Sequence, residues 1–383
     1  MTGGHSTGER LPGGRLHGVD VARALALLGM MATHVGGIAE QVDWAEPDTW
    51  AAVAHGRSSS LFAVLAGVSI GLTSGRTAPP GPPAIARVRA RLAVRAAVVV
   101  ALGLMLMALQ TPVSVILPTY GALFLLAIPV LRLRARTLLV IAATCAIASP
   151  VAALAVVPLY AGAGTWEVQL GLVYPVVTFL AYVLVGLAVA RAGLGARRRY
   201  PDDTPAASGP FRWGEERGRQ VLLLASGALV ATAAYVVGNV LAPVPSDAAS
   251  AYPGVPFVGR GSSPSEALAQ VFLSPRDHSS SIVDVVGTAG VAVAVIALCT
   301  FLVDGRGPMP ARIASPLAAV GSMPLTVYAG HLVVLAALPG SPDSGAAWAW
   351  FAVGSVLFAV LWRTFLGRGP LERLTARLTG LVP

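Results

Sequence analysis

Ten apolar segments dominate this sequence, and each is about 20 residues long, the length at which a helix crosses the hydrocarbon core of a bilayer. The chain has 383 residues, 55% of them hydrophobic and 12% charged, with a mean hydropathy of +0.72, which excludes a soluble domain of this size. The sequence therefore predicts an all-α polytopic membrane helix bundle of about ten transmembrane helices. The predicted spans are residues 19–39, 50–73, 91–110, 113–131, 137–158, 169–190, 219–242, 281–303, 314–338 and 346–366.

The basic residues mark one side of the predicted membrane. The formal charge is +9, and the 27 basic side chains are all arginines, which cluster in alternate loops and near both ends of the chain. The opposite loops are acidic or neutral. The positive-inside rule therefore predicts that both termini are cytoplasmic. This basic balance reflects topology and contact with anionic lipid, and it does not indicate a nucleic-acid partner.

Composition also divides the chain along its length. A stretch rich in arginine, proline and glycine at residues 191–218 separates six predicted spans from four. Cys145 and Cys299, the two cysteines, both fall inside predicted spans, so we expect neither a disulfide framework nor a metal site. The predicted organisation is a disordered cytoplasmic tail at 1–14, spans one to six within 15–190, a basic cytoplasmic linker at 191–218, spans seven to ten within 219–366, and a cytoplasmic tail at 367–383.

The first predicted span carries three ionisable residues, Asp20, Arg23 and His34, which membrane helices rarely tolerate without a reason. At about 100° per residue, the eleven steps from Arg23 to His34 bring both side chains to within roughly 20° of one helix face, about 16 Å apart along the axis. Asp20 and Arg23 can also pair locally at the membrane interface. That pairing alone leaves the alignment with His34 unexplained.

Three further histidines are predicted at the same membrane level as His34. His55 lies about two turns into the second predicted span, His278 just before the eighth and His331 in the outer half of the ninth. A membrane histidine often serves only as an interhelical hydrogen-bond donor, so each has a structural as well as a catalytic interpretation.

The neighbours of these histidines are polar as well. Arg57 and Ser58 follow His55 closely, and a membrane arginine requires an anionic partner or an aqueous cavity. Asp284, at the start of the eighth predicted span, is the predicted partner of Arg57. Tyr328 precedes His331 by three residues, so both side chains are expected on one helix face.

Some motifs point away from other enzyme classes. Gly67-Val-Ser69-Ile-Gly71 matches the G-x-S-x-G elbow of hydrolases, but that elbow needs a strand-turn-helix context, whereas here it falls inside a predicted membrane helix. Small residues four apart are typical of a close helix-packing face. The sequence contains neither a Walker-type loop nor an HExxH motif, so it gives no support for ATP-driven transport or zinc hydrolysis.

Several short motifs together resemble the transmembrane acyltransferase superfamily. Arg23, ten intervening residues and His34 resemble the Arg-x10-His signature of the acyltransferase-3 family. Other segments are similar to bacterial relatives of heparan-alpha-glucosaminide N-acetyltransferase. These are residues 15–23, 61–69, 115–121 and 174–186, the His278-Ser-Ser-Ser patch, and residues 321–328 with His331.

This resemblance implies an enzyme of a bacterial plasma membrane. It would take an acyl group, in the first place acetyl, from cytosolic acyl-CoA and pass it to a hydroxyl or amine of an extracytoplasmic glycan or other envelope acceptor, without a metal. Carried over by position, Arg23, with Asp20 and Arg57, contacts the donor, and His34 is the catalytic histidine. His55 is a rival, because the reactive histidine of the heparan enzyme is associated with the loop and second span, and His278 is a third candidate.

The predicted mechanism places the phosphates of CoA near Arg23 and the arginines of residues 87–95. A histidine then removes the acceptor proton, or carries the acyl group covalently, while Arg57, Ser58 or Tyr328 stabilises the oxyanion. A proton-coupled transporter is the alternative function, with the histidines and Asp284 relaying protons through broken helices. A third possible function is that of a membrane scaffold with a degenerate, non-catalytic site.

Overall fold

The computed structural model describes residues 16–39, 42–43, 45–156, 173–194, 213–243, 263–340 and 342–382. These residues form helices joined by turns, without a strand among them, so the predicted all-α class is confirmed. The predicted tail at 1–14 and most of the linker at 191–218 lie outside the described residues.

The helices are α1 (His17–Val35), a 3-10 helix (Pro47–Ala54), α2 (Arg57–Thr73), α3 (Ala84–Met107), α4 (Leu117–Ala127), α5 (Ala135–Val156), α6 (Val176–Arg191), α7 (Trp213–Leu241), α8 (Pro264–Leu273), α9 (Ile282–Val303), α10 (Pro308–Ile313), α11 (Ser315–Ser322), α12 (Pro324–Ala337), α13 (Gly345–Phe365) and α14 (Pro370–Gly380).

Six of these helices are long and apolar enough to cross a membrane: α1, α3, α5, α7, α9 and α13. Helices α11 and α12 qualify as a seventh only when taken together, and they meet at an angle of 82°. Helices α4 and α6 are apolar but shorter. The chain is thus a helical membrane protein, whereas the total of ten spans and the cytoplasmic termini stay predictions.

The second predicted span is broken rather than continuous. A 3-10 helix ends at Ala54, and α2 begins only at Arg57, after Gly56 adopts a φ of +65°. A positive φ interrupts a right-handed helix and suits glycine, which has no Cβ to clash. The expectation that His55 lies two turns inside a helix is therefore wrong, because His55 stands in the turn before α2.

Close helix contacts hold the bundle together through small residues. Gly67 of α2 packs against the backbone of Val183, and Gly186 of α6 packs in return against that of Val64, so a side chain at either glycine would clash. Without a hydrophobic drive between helices in lipid, van der Waals contact at such close approach helps to hold the helices together. The G-x-S-x-G stretch accordingly lies within a helix and forms a packing face.

The ends of the chain differ in how they join the bundle. Helix α1 is largely buried and packs against α2, α9 and α11, which makes it the central element. Residues 367–383, predicted only as a tail, contain the amphipathic helix α14. This helix packs against α3 and α12.

Candidate active site

A narrow cavity of about 50 Å³ lies between α1, α2, α3, α4 and α12. Most of its wall is apolar. The polar residues that line it are Arg23, Ser69, Arg95, Tyr120 and Tyr328. We call this space the arginine cavity, because two guanidinium groups reach a site whose wall is largely hydrophobic.

Arg23 is held firmly in this cavity by neighbours on two helices. Its Nη1 donates to Asp20 Oδ1 at 2.6 Å, and its Nη2 donates to Ser69 Oγ at 2.9 Å. Asp20 is only 2% exposed and Arg23 is partly buried, so this ion pair is partly shielded from water. The local pairing considered from the sequence does form, and it also orients Arg23 toward the cavity.

Arg95 on α3 has no comparable partner. Its guanidinium carbon lies 5.4 Å from the centroid of the Phe124 ring, and its Nε is buried. Across the described ranges, no residue accepts a hydrogen bond from Arg95 or forms an ion pair with it. An interior cation without a compensating charge is costly. The cavity therefore has the chemistry to attract an anion.

His34 and His331 form a stacked pair beyond this cavity. His34 Nδ1 and His331 Nε2 are 3.2 Å apart, and the ring planes differ by only 15°. At this distance the two nitrogens can share one proton, with one ring donating and the other accepting. Tyr328 packs edge-on against His331, with centroids 5.2 Å apart, and also lines the arginine cavity. Tyr328 thus connects the histidine pair to the arginines.

A second polar group, the aspartate cluster, comprises Arg57, Tyr235, Asp284 and Thr288 together with His278. Arg57 lies over the Tyr235 ring at 5.3 Å, the Tyr235 hydroxyl is 3.0 Å from Thr288 Oγ1, and Thr288 donates to Asp284 Oδ1 at 3.2 Å. The predicted direct pair between Arg57 and Asp284 is not formed. The Tyr235 ring covers the guanidinium, so neutral hydroxyl groups link the two charges instead.

The aspartate cluster borders a cavity of about 10 Å³, lined among others by Ser60, Tyr182, His278 and Asp284. His278 adopts a φ of +56° in the loop before α9, a conformation that costs energy in a residue with a Cβ. Burial lowers the pKa of His278 below its ordinary value, against the opposing charge of Asp277. A neutral imidazole beside a buried carboxyl can accept a proton or a hydrogen bond from a ligand.

The predicted site residues thus fall into two groups rather than one layer. Ser58 belongs to neither, because it packs against Gly29 at the contact between α1 and α2. The predicted members of the arginine cavity and histidine pair are Asp20, Arg23, His34, Tyr328 and His331, and those of the aspartate cluster are Arg57, His278 and Asp284, with His55 in the adjoining turn.

Sequence reasoning missed Tyr235 and singled out Arg95 only as one of several basic residues. Tyr235 gave no signal, since a tyrosine within an apolar span is unremarkable without knowledge of its neighbours. Arg95 could have been found, because it lies inside the third predicted span, whereas Arg87 precedes that span and Arg91 is its first residue.

Residues 15–236 match the family model of the heparan-alpha-glucosaminide N-acetyltransferase catalytic domain. No curated protein matches the chain. The matched region contains Arg23, His34, Arg57 and Arg95, whereas His278, Asp284 and the Tyr328–His331 segment lie beyond it. Because the match covers more than half of the 383 residues, the chain belongs to the family of the heparan-alpha-glucosaminide N-acetyltransferase catalytic domain.

Proposed function

We propose that the protein is an integral membrane acetyltransferase. It takes the acetyl group from cytosolic acetyl-CoA and transfers it to a hydroxyl or amine of an extracytoplasmic acceptor, a glycan of the cell envelope. Family membership supports the acetyl transfer. The observation that carries the donor assignment is the arginine cavity, where the guanidinium of Arg95 has no hydrogen-bonding partner among the described residues.

The donor is assigned to the arginine cavity for reasons of charge and shape. Arginine binds phosphate through short charge-assisted hydrogen bonds, and CoA carries several phosphate groups. The apolar walls suit the pantetheine arm. A ligand pocket commonly has a volume of about 300–1,000 Å³. The cavity of about 50 Å³ must therefore widen when the donor enters, by separation of α3 or α12 from α1.

The chemical step is assigned to the histidine pair. The acceptor oxygen or nitrogen attacks the thioester carbonyl, His34 takes the acceptor proton, and the CoA sulfur leaves and receives a proton. His331 holds the His34 ring through their contact at 3.2 Å. Because Tyr328 links this pair to the cavity, a thioester that extends from the arginines would reach His34.

The aspartate cluster is assigned to the acceptor. Its hydroxyl groups and the buried Asp284 can bind the hydroxyl or amine groups of a sugar. His55 and His278 remain rivals of His34 as the catalytic base, because both lie beside this cluster.

We also infer the membrane arrangement that this route requires. The arginine-rich loops support ten spans with both termini in the cytoplasm. The resemblance to bacterial acyltransferases supports a bacterial plasma membrane as the location. Each of the ten predicted apolar segments overlaps a described helix.

A proton-coupled transporter is the second candidate. The 82° bend between α11 and α12 supports it, because transporters bind substrates at broken helices. Purified protein in detergent, titrated with acetyl-CoA and followed by thermal unfolding, separates the two. We expect saturable stabilisation by acetyl-CoA and transfer of labelled acetyl to a glycan. Solute flux in vesicles without any binding of acetyl-CoA would instead establish the transporter.

A further inference from the structure

Glu372 on α14 caps a helix to which it does not belong. Its Oε1 accepts the backbone N–H groups of Leu325 at 2.8 Å and Thr326 at 3.2 Å, and its Oε2 accepts the Thr326 hydroxyl at 2.6 Å. These groups form the first turn of α12, where Met323 provides no side-chain cap. A carboxylate at this position is stabilised by the free N–H groups and by the positive end of the helix dipole.

The capped helix end is also part of the arginine cavity. The 82° bend at Met323 directs the start of α12 into the protein, so that Pro324 and Leu325 line the same space as Arg23 and Arg95. Arg95 is attracted by the Glu372 charge, although the two form no ion pair. Glu372 is therefore an anion bound at the edge of a cationic site.

Helix α14 lies at the edge of the bundle, where Leu371 packs against the core and Arg373 lies over the Trp362 ring at 5.5 Å. Thr375 is its one buried residue, and Leu374 is 47% exposed. The three hydrogen bonds of Glu372 and one from Leu371 N–H to Thr326 Oγ1 fasten this helix to α12. A terminal helix with one buried residue can open locally at a lower free energy than the central helices of the bundle.

We propose that Glu372 is a displaceable internal anion that regulates entry to the arginine cavity. A phosphate group of the incoming ligand takes its place near the start of α12, and α14 then detaches from α3 and α12. The inference rests on the proposed function, because acetyl-CoA supplies the phosphate. In the absence of the donor, α14 keeps the Glu372 carboxylate at the start of α12 and covers this edge of the arginine cavity.

The test compares the wild-type protein with Glu372→Gln in detergent, using CoA and inorganic pyrophosphate as probes. The amide keeps one acceptor oxygen for the cap but removes the charge that competes with phosphate. We expect Glu372→Gln to bind both probes about 3- to 10-fold more tightly, since the competing state is weakened. In the wild-type protein, either probe should accelerate hydrogen exchange at the amides of residues 372–380.

A second test variant and a control variant complete the experiment. Thr326→Val removes one hydrogen bond to Glu372 and should shift affinity in the same direction, even if Glu372→Gln folds poorly. Glu266→Gln is the matched control, because Glu266 forms the capping box of α8 with Ser263, far from the cavity lining. It should leave both affinities unchanged.

Unchanged or weaker binding by Glu372→Gln, with α14 protected whether or not a probe is present, would overturn the proposal and leave Glu372 as a helix cap only. Absence of binding by every variant would overturn it as well. If pyrophosphate releases α14 but CoA binds no more tightly than pyrophosphate and no acetyl is transferred, the proposed function fails and the role of Glu372 stands.

Discussion

The arginine cavity and the aspartate cluster differ in the groups that surround their buried charges. In the cavity, Arg23 has a carboxylate partner at 2.6 Å, whereas Arg95 has an aromatic ring. In the cluster, Arg57 and Asp284 are joined through the hydroxyl groups of Tyr235 and Thr288. The cavity thus carries an excess of positive charge suited to an anion, and the cluster a balanced set of hydrogen-bonding groups suited to a neutral or polar acceptor.

The largest expected effect separates the candidate bases. We expect His34→Ala to reduce acetyl transfer by about 10²- to 10⁴-fold, the usual contribution of a general base, while CoA binding is retained. His278→Ala should act mainly through the acceptor and leave more activity. Rates measured with labelled acetyl-CoA check this. Normal turnover in His34→Ala would show that His34 is not the general base and would favour a histidine of the aspartate cluster.

A smaller effect is expected from Asp284→Asn. Loss of the carboxylate charge should raise the KM for the acceptor about 10-fold, as for a hydrogen bond to a charged group, with the affinity for CoA unchanged. Asp343→Asn, at an exposed position, is the matched control. A change in CoA affinity in Asp284→Asn would contradict the division into two sites.

The smallest effect is the contribution of His278, in the aspartate cluster, to the pH dependence of stability. The pKa of His278 is lowered from 6.5 by burial, so below about pH 6.5 the unfolded chain binds more protons than the folded one. Stability should therefore fall as the pH drops below 6.5, until the folded pKa is passed. His278→Gln should weaken this dependence in thermal unfolding between about pH 5 and 6.5, whereas Arg95→Gln should not, since arginine does not titrate there. If the stability of His278→Gln depended on pH as steeply as that of the wild type, His278 would not be the source of this dependence.

The sequence predicted those features that depend on local pattern. Apolar length located the helices, and the small residues around Gly67 indicated a packing face. The positions where helices break were harder to predict from the sequence. Pro324 permits a bend at Met323 without requiring one, and Gly56 interrupts the helix only because it adopts a positive φ.

Contacts between distant segments could not be predicted at all. Tyr235 and Glu372 act on residues 53 and 46 positions away, so their roles depend on how the helices pack. The grouping of the histidines could not be predicted from the sequence either. They share a predicted level, yet packing divides them between two groups.

The most direct test of the central claim is the affinity for acetyl-CoA of Arg95→Gln, measured by calorimetry beside the wild type and Arg87→Gln. Arg87 lies on the same helix but is exposed and outside the cavity lining. We expect Arg95→Gln to bind about 10- to 100-fold more weakly, the loss expected for a charged hydrogen bond, and Arg87→Gln to bind normally. Equal affinities for all three proteins would contradict the assignment of the donor to the arginine cavity.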